Sequence, residues 1–335
     1  MKPIISILFL LTVNFIAVNS QVSQQWAARY NGSMNNSDYA NDMAISVAGD
    51  IFVTGASYGA NNDLNYMTIK YNSAGSQIWT RTYDGLQGED VAEAIAVDFL
   101  GNVYVTGRIS VPGSGFNYYT IKMNSAGTVQ WGANYNGPGN NNDIARTIAV
   151  DGTGNVYVGG ESTGSGTGLD YCLVKYNSSG VQQWVYRYNG SANIEDVMVD
   201  LKIDNAGNNI YLTGFANFGS PNYADYTTIR INSAGTMQWV KRYNHSGTDD
   251  KATSLTIDAT GNVYVTGWVP GILAWESYGT VKYNSSGAEL WVAVYEGPGQ
   301  KIDIASDIEV DASGNIFVTG KSQGSNLLYD VATVK

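Results

Sequence analysis

From Trp26 onward the chain falls into short runs in which apolar and polar residues alternate, each run closed by Gly, Asn, Asp or Ser. A period of two marks half-buried β-strands, and the small polar residues between the runs mark turns. Four kinds of run recur in fixed order. One carries a Trp followed by a Tyr: Trp26 and Tyr30, Trp79 and Tyr83, Trp131 and Tyr135, Trp184 and Tyr188, Trp239 and Tyr243, Trp291 and Tyr295. The Trp spacings are 53, 52, 53, 55 and 52 residues. We call this strand d. The next run opens on an Asp, as in DIARTIAVD from Asp143 to Asp151, and is strand a. The third is GNVYVTG, whole at Gly101 to Gly107 and again at Gly261 to Gly267, and is strand b. The fourth is typified by DYTTIRINSAG from Asp225 to Gly235 and is strand c.

The links between runs fit hairpins. Asp-x-x-Gly-Asn joins a to b, as at Asp258 to Asn262, and Asn-Ser-Ala-Gly joins c to d, as at Asn72 to Gly75. Gly supplies the positive φ that such tight turns demand, and Asp or Asn bonds its own turn backbone. Four antiparallel strands joined in this way form a blade that cannot cover both of its faces alone, so blades must stack around an axis. The predicted fold is all-β: a six-bladed β-propeller of four-stranded antiparallel blades. The order d, a, b, c begins at Trp26 and ends at Lys335, so the N-terminal strand is expected to pair with the C-terminal strand and close the ring.

GNVYVTG, then YNSAG, then a Trp strand, then Tyr-Asn-Gly resemble the SBBP β-propeller repeats of bacteria and archaea, across almost all of residues 26–335. The resemblance implies a secreted or surface-associated propeller and brings no catalytic residues with it. That family's name refers to seven blades, whereas six copies are counted here.

Residues 1–20 read as a signal peptide: Met1-Lys2-Pro3, an apolar run from Ile4 to Ala17, then Val18-Asn19-Ser20. Residues 21–335 are then one propeller domain, secreted or at the cell surface, with the periplasm as a further destination. After cleavage no membrane insertion is expected. The net charge of -11 argues against a nucleic-acid partner. Cys172 is the only Cys, so no internal disulfide can form, and it reads as a small core residue. A monomer is expected.

Topology divides the turns between two faces. The a–b and c–d turns repeat almost letter for letter, while the d–a and b–c loops vary, as in NFGSPNYA after Ala216 and VPGILAWES after Trp268. Variation among copies frees a position from the shared folding constraint, so recognition is expected there. Two features stand out on this face. The Asp residues opening strand a (Asp38, Asp90, Asp143, Asp196, Asp250 and Asp303) are expected to ring the channel mouth. Loop capping is the favoured reading, with Ca²⁺ as the alternative. The second is an aromatic cluster: Phe215, Phe218, Tyr223, Trp268 and Trp275. It could stack on sugar rings or anchor a protein, or simply fill gaps between loops. His245 is the only His, which disfavours multi-His metal sites and Ser-His-Asp triads. Acid pairs at Glu195 and Asp196 or at Asp249 and Asp250 are the remaining catalytic candidates. The expected function is non-enzymatic binding of an extracellular glycan or protein, with no cofactor. The alternative is a polysaccharide-active hydrolase or lyase using loop-face acids.

Overall fold

The computed structural model describes residues 24–85, 88–204, 206–219, 223–271, 275–325 and 328–335. The expected signal peptide lies outside the described residues. There is no helix among those described, and the strands form six antiparallel sheets. The first holds β1 (Asp38–Ile45), β2 (Ile51–Tyr58), β3 (Leu64–Tyr71) and β4 (Gln77–Tyr83). The second holds β5 (Val91–Val97), β6 (Val103–Val111), β7 (Gly115–Met123) and β8 (Val129–Tyr135). The third holds β9 (Asp143–Val150), β10 (Val156–Thr163), β11 (Leu169–Tyr176) and β12 (Gln182–Tyr188). In the fourth are β13 (Asp196–Ile203), β14 (Asn209–Asn217), β15 (Ala224–Asn232) and β16 (Met237–Tyr243). In the fifth are β17 (Lys251–Ile257), β18 (Val263–Pro270), β19 (Glu276–Tyr283) and β20 (Glu289–Tyr295). The sixth has three strands, β21 (Asp303–Val310), β22 (Ile316–Gln323) and β23 (Tyr329–Val334).

Strand a is innermost. Asn41, Glu93, Arg146, Asp200, Thr253 and Ser306, one from each sheet, line a single central cavity of about 760 Å³. Each inner strand packs on the inner strand of the following sheet, from β1 through to β21. The core therefore lies between sheets. Tyr104 and Tyr118 of the second sheet, for example, pack with Ile148, Val156 and Cys172 of the third.

The repeated residues explain this stacking. Each strand a carries a bulge, as between Ala92 and Ala94, and the Gly ending GNVYVTG lies opposite it. A Cβ on Gly107 would sit 2.0 Å from the Val91 carbonyl oxygen, and one on Gly267 would sit 2.1 Å from that of Lys251. Only Gly allows that approach. The strand-d indole N–H reaches the next sheet's c–d turn: Trp79 donates to the Ser125 carbonyl at 3.2 Å, and Trp131 to Ser178 at 3.1 Å. Strand-c tyrosines do the same deeper down, Tyr171 donating to the Thr227 carbonyl at 3.0 Å and Tyr226 to Gly279 at 3.1 Å. Buried hydroxyls thereby find partners and set the spacing between sheets.

The expected pairing of the Trp26 segment with the strand ending at Lys335 is not present among the described residues. Residues 24–32 form no strand, and β23 pairs only with β22. The side chain of Trp26 is nevertheless docked on the first sheet: it stacks on Tyr71 with ring centroids 6.2 Å apart and donates to the Ser73 carbonyl at 3.2 Å. The segment is thus anchored to the first sheet by its indole, and among the described residues no strand pairs with it.

Candidate functional site

The Asp residues at the entry to strand a are loop caps, fully buried in every sheet but the first, where Asp38 is half-buried. One carboxylate oxygen accepts a backbone N–H from the preceding d–a loop: Gly32 to Asp38 at 2.9 Å, Gly137 to Asp143 at 2.7 Å, Gly190 to Asp196 at 2.5 Å, His245 to Asp250 at 2.8 Å and Gly297 to Asp303 at 2.6 Å. Gly85 donates in the same way to Asp90. In four sheets the other oxygen accepts the N–H at the far end of strand b: Ser110 to Asp90, Thr163 to Asp143, Asn217 to Asp196 and Gln323 to Asp303. A single side chain so ties two loops of the variable face to the sheet. Burial pushes the Asp90 and Asp143 carboxyls up, and pushes Asp196 up to about 6, against the N–H bonds that favour the charged form. These caps do not line the central cavity. No group of three or more His, Cys, Asp or Glu is gathered for a metal ion among the described residues.

The aromatic residues divide. Tyr223, Trp268 and Trp275 line one cleft of about 460 Å³, together with Ser246, Thr248, Asp249, Pro270, Gly271 and Glu276. Three loops build it: the b–c loop of the fourth sheet, the d–a loop between the fourth and fifth, and the b–c loop of the fifth. Trp275 is 41% exposed and Tyr223 47%, so part of each ring faces solvent. Phe215 and Phe218 are not in the lining. Lys251 sits over Phe215 at 4.4 Å, and the Arg242 guanidinium lies over Phe218 at 4.0 Å. Arg242 also pairs with the buried Asp225. Lys301 caps Trp275 at 4.7 Å. The cleft is therefore aromatic at Tyr223, Trp268 and Trp275 and acidic at Asp249 and Glu276, with Lys251 over the Trp268 ring and Lys301 over that of Trp275.

The family comparison agrees with the geometry. Residues 78–113 and 238–268 match the model of the SBBP β-propeller repeat. Two segments of the chain are SBBP β-propeller repeats. Among solved structures, a polysaccharide lyase, Uly1, aligns with a TM-score of 0.56 at 14% identity, over 94% of this chain and 85% of that one. The periplasmic gluconolactonase PpgL of Pseudomonas aeruginosa aligns with a TM-score of 0.52 at 10% identity, over 88% of each chain. A streptogramin B lyase gives 0.50 at 13% identity, over 82% of this chain and 74% of that one. At such identities these likenesses show the propeller fold alone. No curated protein matches the sequence.

Of the other residues singled out from sequence, His245 lies in the d–a loop, its Nδ1 2.8 Å from the Tyr243 hydroxyl. Cys172 is fully buried, and burial pushes its thiol up to about 11. Glu276, Ser246 and Thr248 were not visible as site residues in the sequence. They are ordinary polar loop residues there, and only the meeting of three loops brings them together.

Proposed function

We propose that this SBBP-repeat chain is a secreted, monomeric, non-enzymatic propeller that binds an extracellular glycan through the cleft between its fourth and fifth sheets. The observation that carries the reading is the convergence of Tyr223, Trp268 and Trp275 with Asp249 and Glu276 around one opening. Sugars present C–H faces to aromatic rings and hydroxyls to carboxylates, and the cleft falls within the ~300–1,000 Å³ range of small-molecule sites. A glycan array probed with the mature protein tests this. At least one glycan class should bind, and Trp275→Ala should weaken it about tenfold, or ~1.4 kcal/mol. An array without hits, or binding indifferent to Trp275→Ala and Trp268→Ala together, would reject the cleft as a glycan site. Cleavage of a bound polysaccharide would instead favour the hydrolase or lyase reading, with Asp249 and Glu276 as its acids.

The proposed scaffold is a closed six-bladed ring. Trp26 already adopts the pose of a strand-d Trp against the first sheet, and Phe317 of β22 stands where Tyr264 meets Trp291 in the fifth sheet. Lys335 lies over Phe317 at 5.6 Å as Lys282 lies over Tyr264 at 4.7 Å. Pairing the Trp26 segment with β23 would supply the sixth sheet's fourth strand.

A further inference from the structure

Asp250 differs from its counterparts in the other sheets. Its Oδ2 accepts the His245 N–H at 2.8 Å, but its Oδ1 is buried without a hydrogen-bond partner. The register gives the reason. Lys251 pairs with Trp268 as Val91 pairs with Arg108, so the residue placed to donate, as Ser110 donates to Asp90, is Pro270. Proline has no N–H. Thr163, Asn217 and Gln323 all donate from the equivalent position.

The surroundings compound the loss. Asp225, at the start of β15 in the fourth sheet, is also fully buried with an unpartnered Oδ1. Asp249 adjoins Asp250 in the chain and accepts the Ala224 N–H at 3.0 Å, while the Asp250 N–H donates to the Ala224 carbonyl at 2.6 Å. These two bonds clasp the fourth sheet to the fifth beside Tyr223, in the wall of the cleft. The cation nearest the cluster is Arg242 of β16, already paired with Asp225 and stacked on Phe218. Lys251 is turned toward Phe215 and Trp268. Tyr226 and Tyr243 of the fourth sheet and His245 complete the titratable groups around Asp250. Two buried orphan oxygens, three carboxyls and one committed cation leave a deficit that a proton relieves.

We propose that Asp250 is a proton-operated latch between the fourth and fifth sheets: protonated, it lets the clasp at Ala224 hold the cleft walls together, and ionised, it drives them apart. Burial, joined by the charges of Asp225 and Asp249, pushes its carboxyl up to about 7 from an ordinary 3.8. The sign follows from proton linkage. Between these two values the closed form holds a proton that the open or unfolded form does not, so closure is strongest near pH 4 and is progressively lost up to pH 7. The latch concerns the walls of the cleft and stands whether the ligand is a glycan or a protein.

The test compares wild type, Asp250→Asn and Pro270→Ala from pH 4.5 to 8, by thermal midpoint and by hydrogen exchange. Asn carries no titrating proton, so the wild-type midpoint should fall relative to Asp250→Asn as pH rises to about 7, and then run parallel. Once the intrinsic, base-catalysed rise in exchange is divided out, protection of the Ala224 and Asp250 amides should fall about tenfold over the same interval in wild type and stay level in Asp250→Asn. Pro270→Ala restores an N–H, which favours the ionised carboxyl, so its decline should shift to lower pH and shrink. Parallel profiles for wild type and Asp250→Asn at every pH would overturn the latch. So would a Ca²⁺-dependent rise in midpoint that Asp250→Asn abolishes, since that would put a cation, not a proton, at the orphan oxygens.

Discussion

Met43 offers a direct test of ring closure. In strand a its position, opposite Val53, corresponds to Ile95, Ile148, Leu201, Leu255 and Ile308 in the other sheets. Those five residues are 0–9% exposed because the preceding sheet covers them, whereas Met43 is 62% exposed. The preceding sheet in a closed ring is the sixth. If the gap stays open, Met43→Ala is a surface change and should fall within about 0.5 kcal/mol of wild type. If the ring closes, the same substitution removes a buried side chain and should cost ~2–5 kcal/mol. Taking about 3 kcal/mol and ~2–4 °C per kcal/mol for a domain of this size, the midpoint should drop by roughly 6–12 °C. Leu255→Ala, at a site with no exposure, provides the internal standard. The assay is thermal and urea unfolding of both variants, with sedimentation confirming a monomer so that a second copy is not what covers Met43. A Met43→Ala midpoint matching wild type, alongside a destabilised Leu255→Ala, would refute closure.

Further expectations follow from the same packing. Gly267→Ala places a Cβ 2.1 Å from the Lys251 carbonyl oxygen and should cost ~1–3 kcal/mol or more, read as a lowered urea midpoint. Cys172, fully buried with its thiol pushed up to about 11, should resist iodoacetamide at pH 8 in the native protein and react once urea unfolds it.

Much of the fold was legible because the repeat states its constraints six times. The strand order and the hairpin turns follow from alternation and from Gly, Asn and Asp at fixed offsets, whereas the inner position of strand a is seen only in the lining of the central cavity. Positive φ at Gly49, Gly101, Gly154, Gly207, Gly261 and Gly314 marks the a–b turns as the sequence places them. The site was legible only in part. Aromatic residues on variable loops drew attention, but alternation does not say which way a loop side chain turns, so Phe215 and Phe218 could not be told from Tyr223, Trp268 and Trp275. Pro270 was readable in principle, since it stands in the column of Ser110, Thr163, Asn217 and Gln323. Its meaning required knowing that this column donates to a buried carboxylate.

The sequence by itself determined a β-propeller repeat of antiparallel strands, because hydrophobic period and turn chemistry act between residues close in the chain. Tertiary structure decided what happens where chain-distant residues meet. It turned a row of acids into buried caps whose oxygens are taken up by backbone N–H groups. It drew three loops into one cleft, and it left the Oδ1 of Asp250 without the donor its counterparts in four other sheets have. Those outcomes depend on burial and on hydrogen-bond partners twenty or more residues away, and neither is written in local pattern.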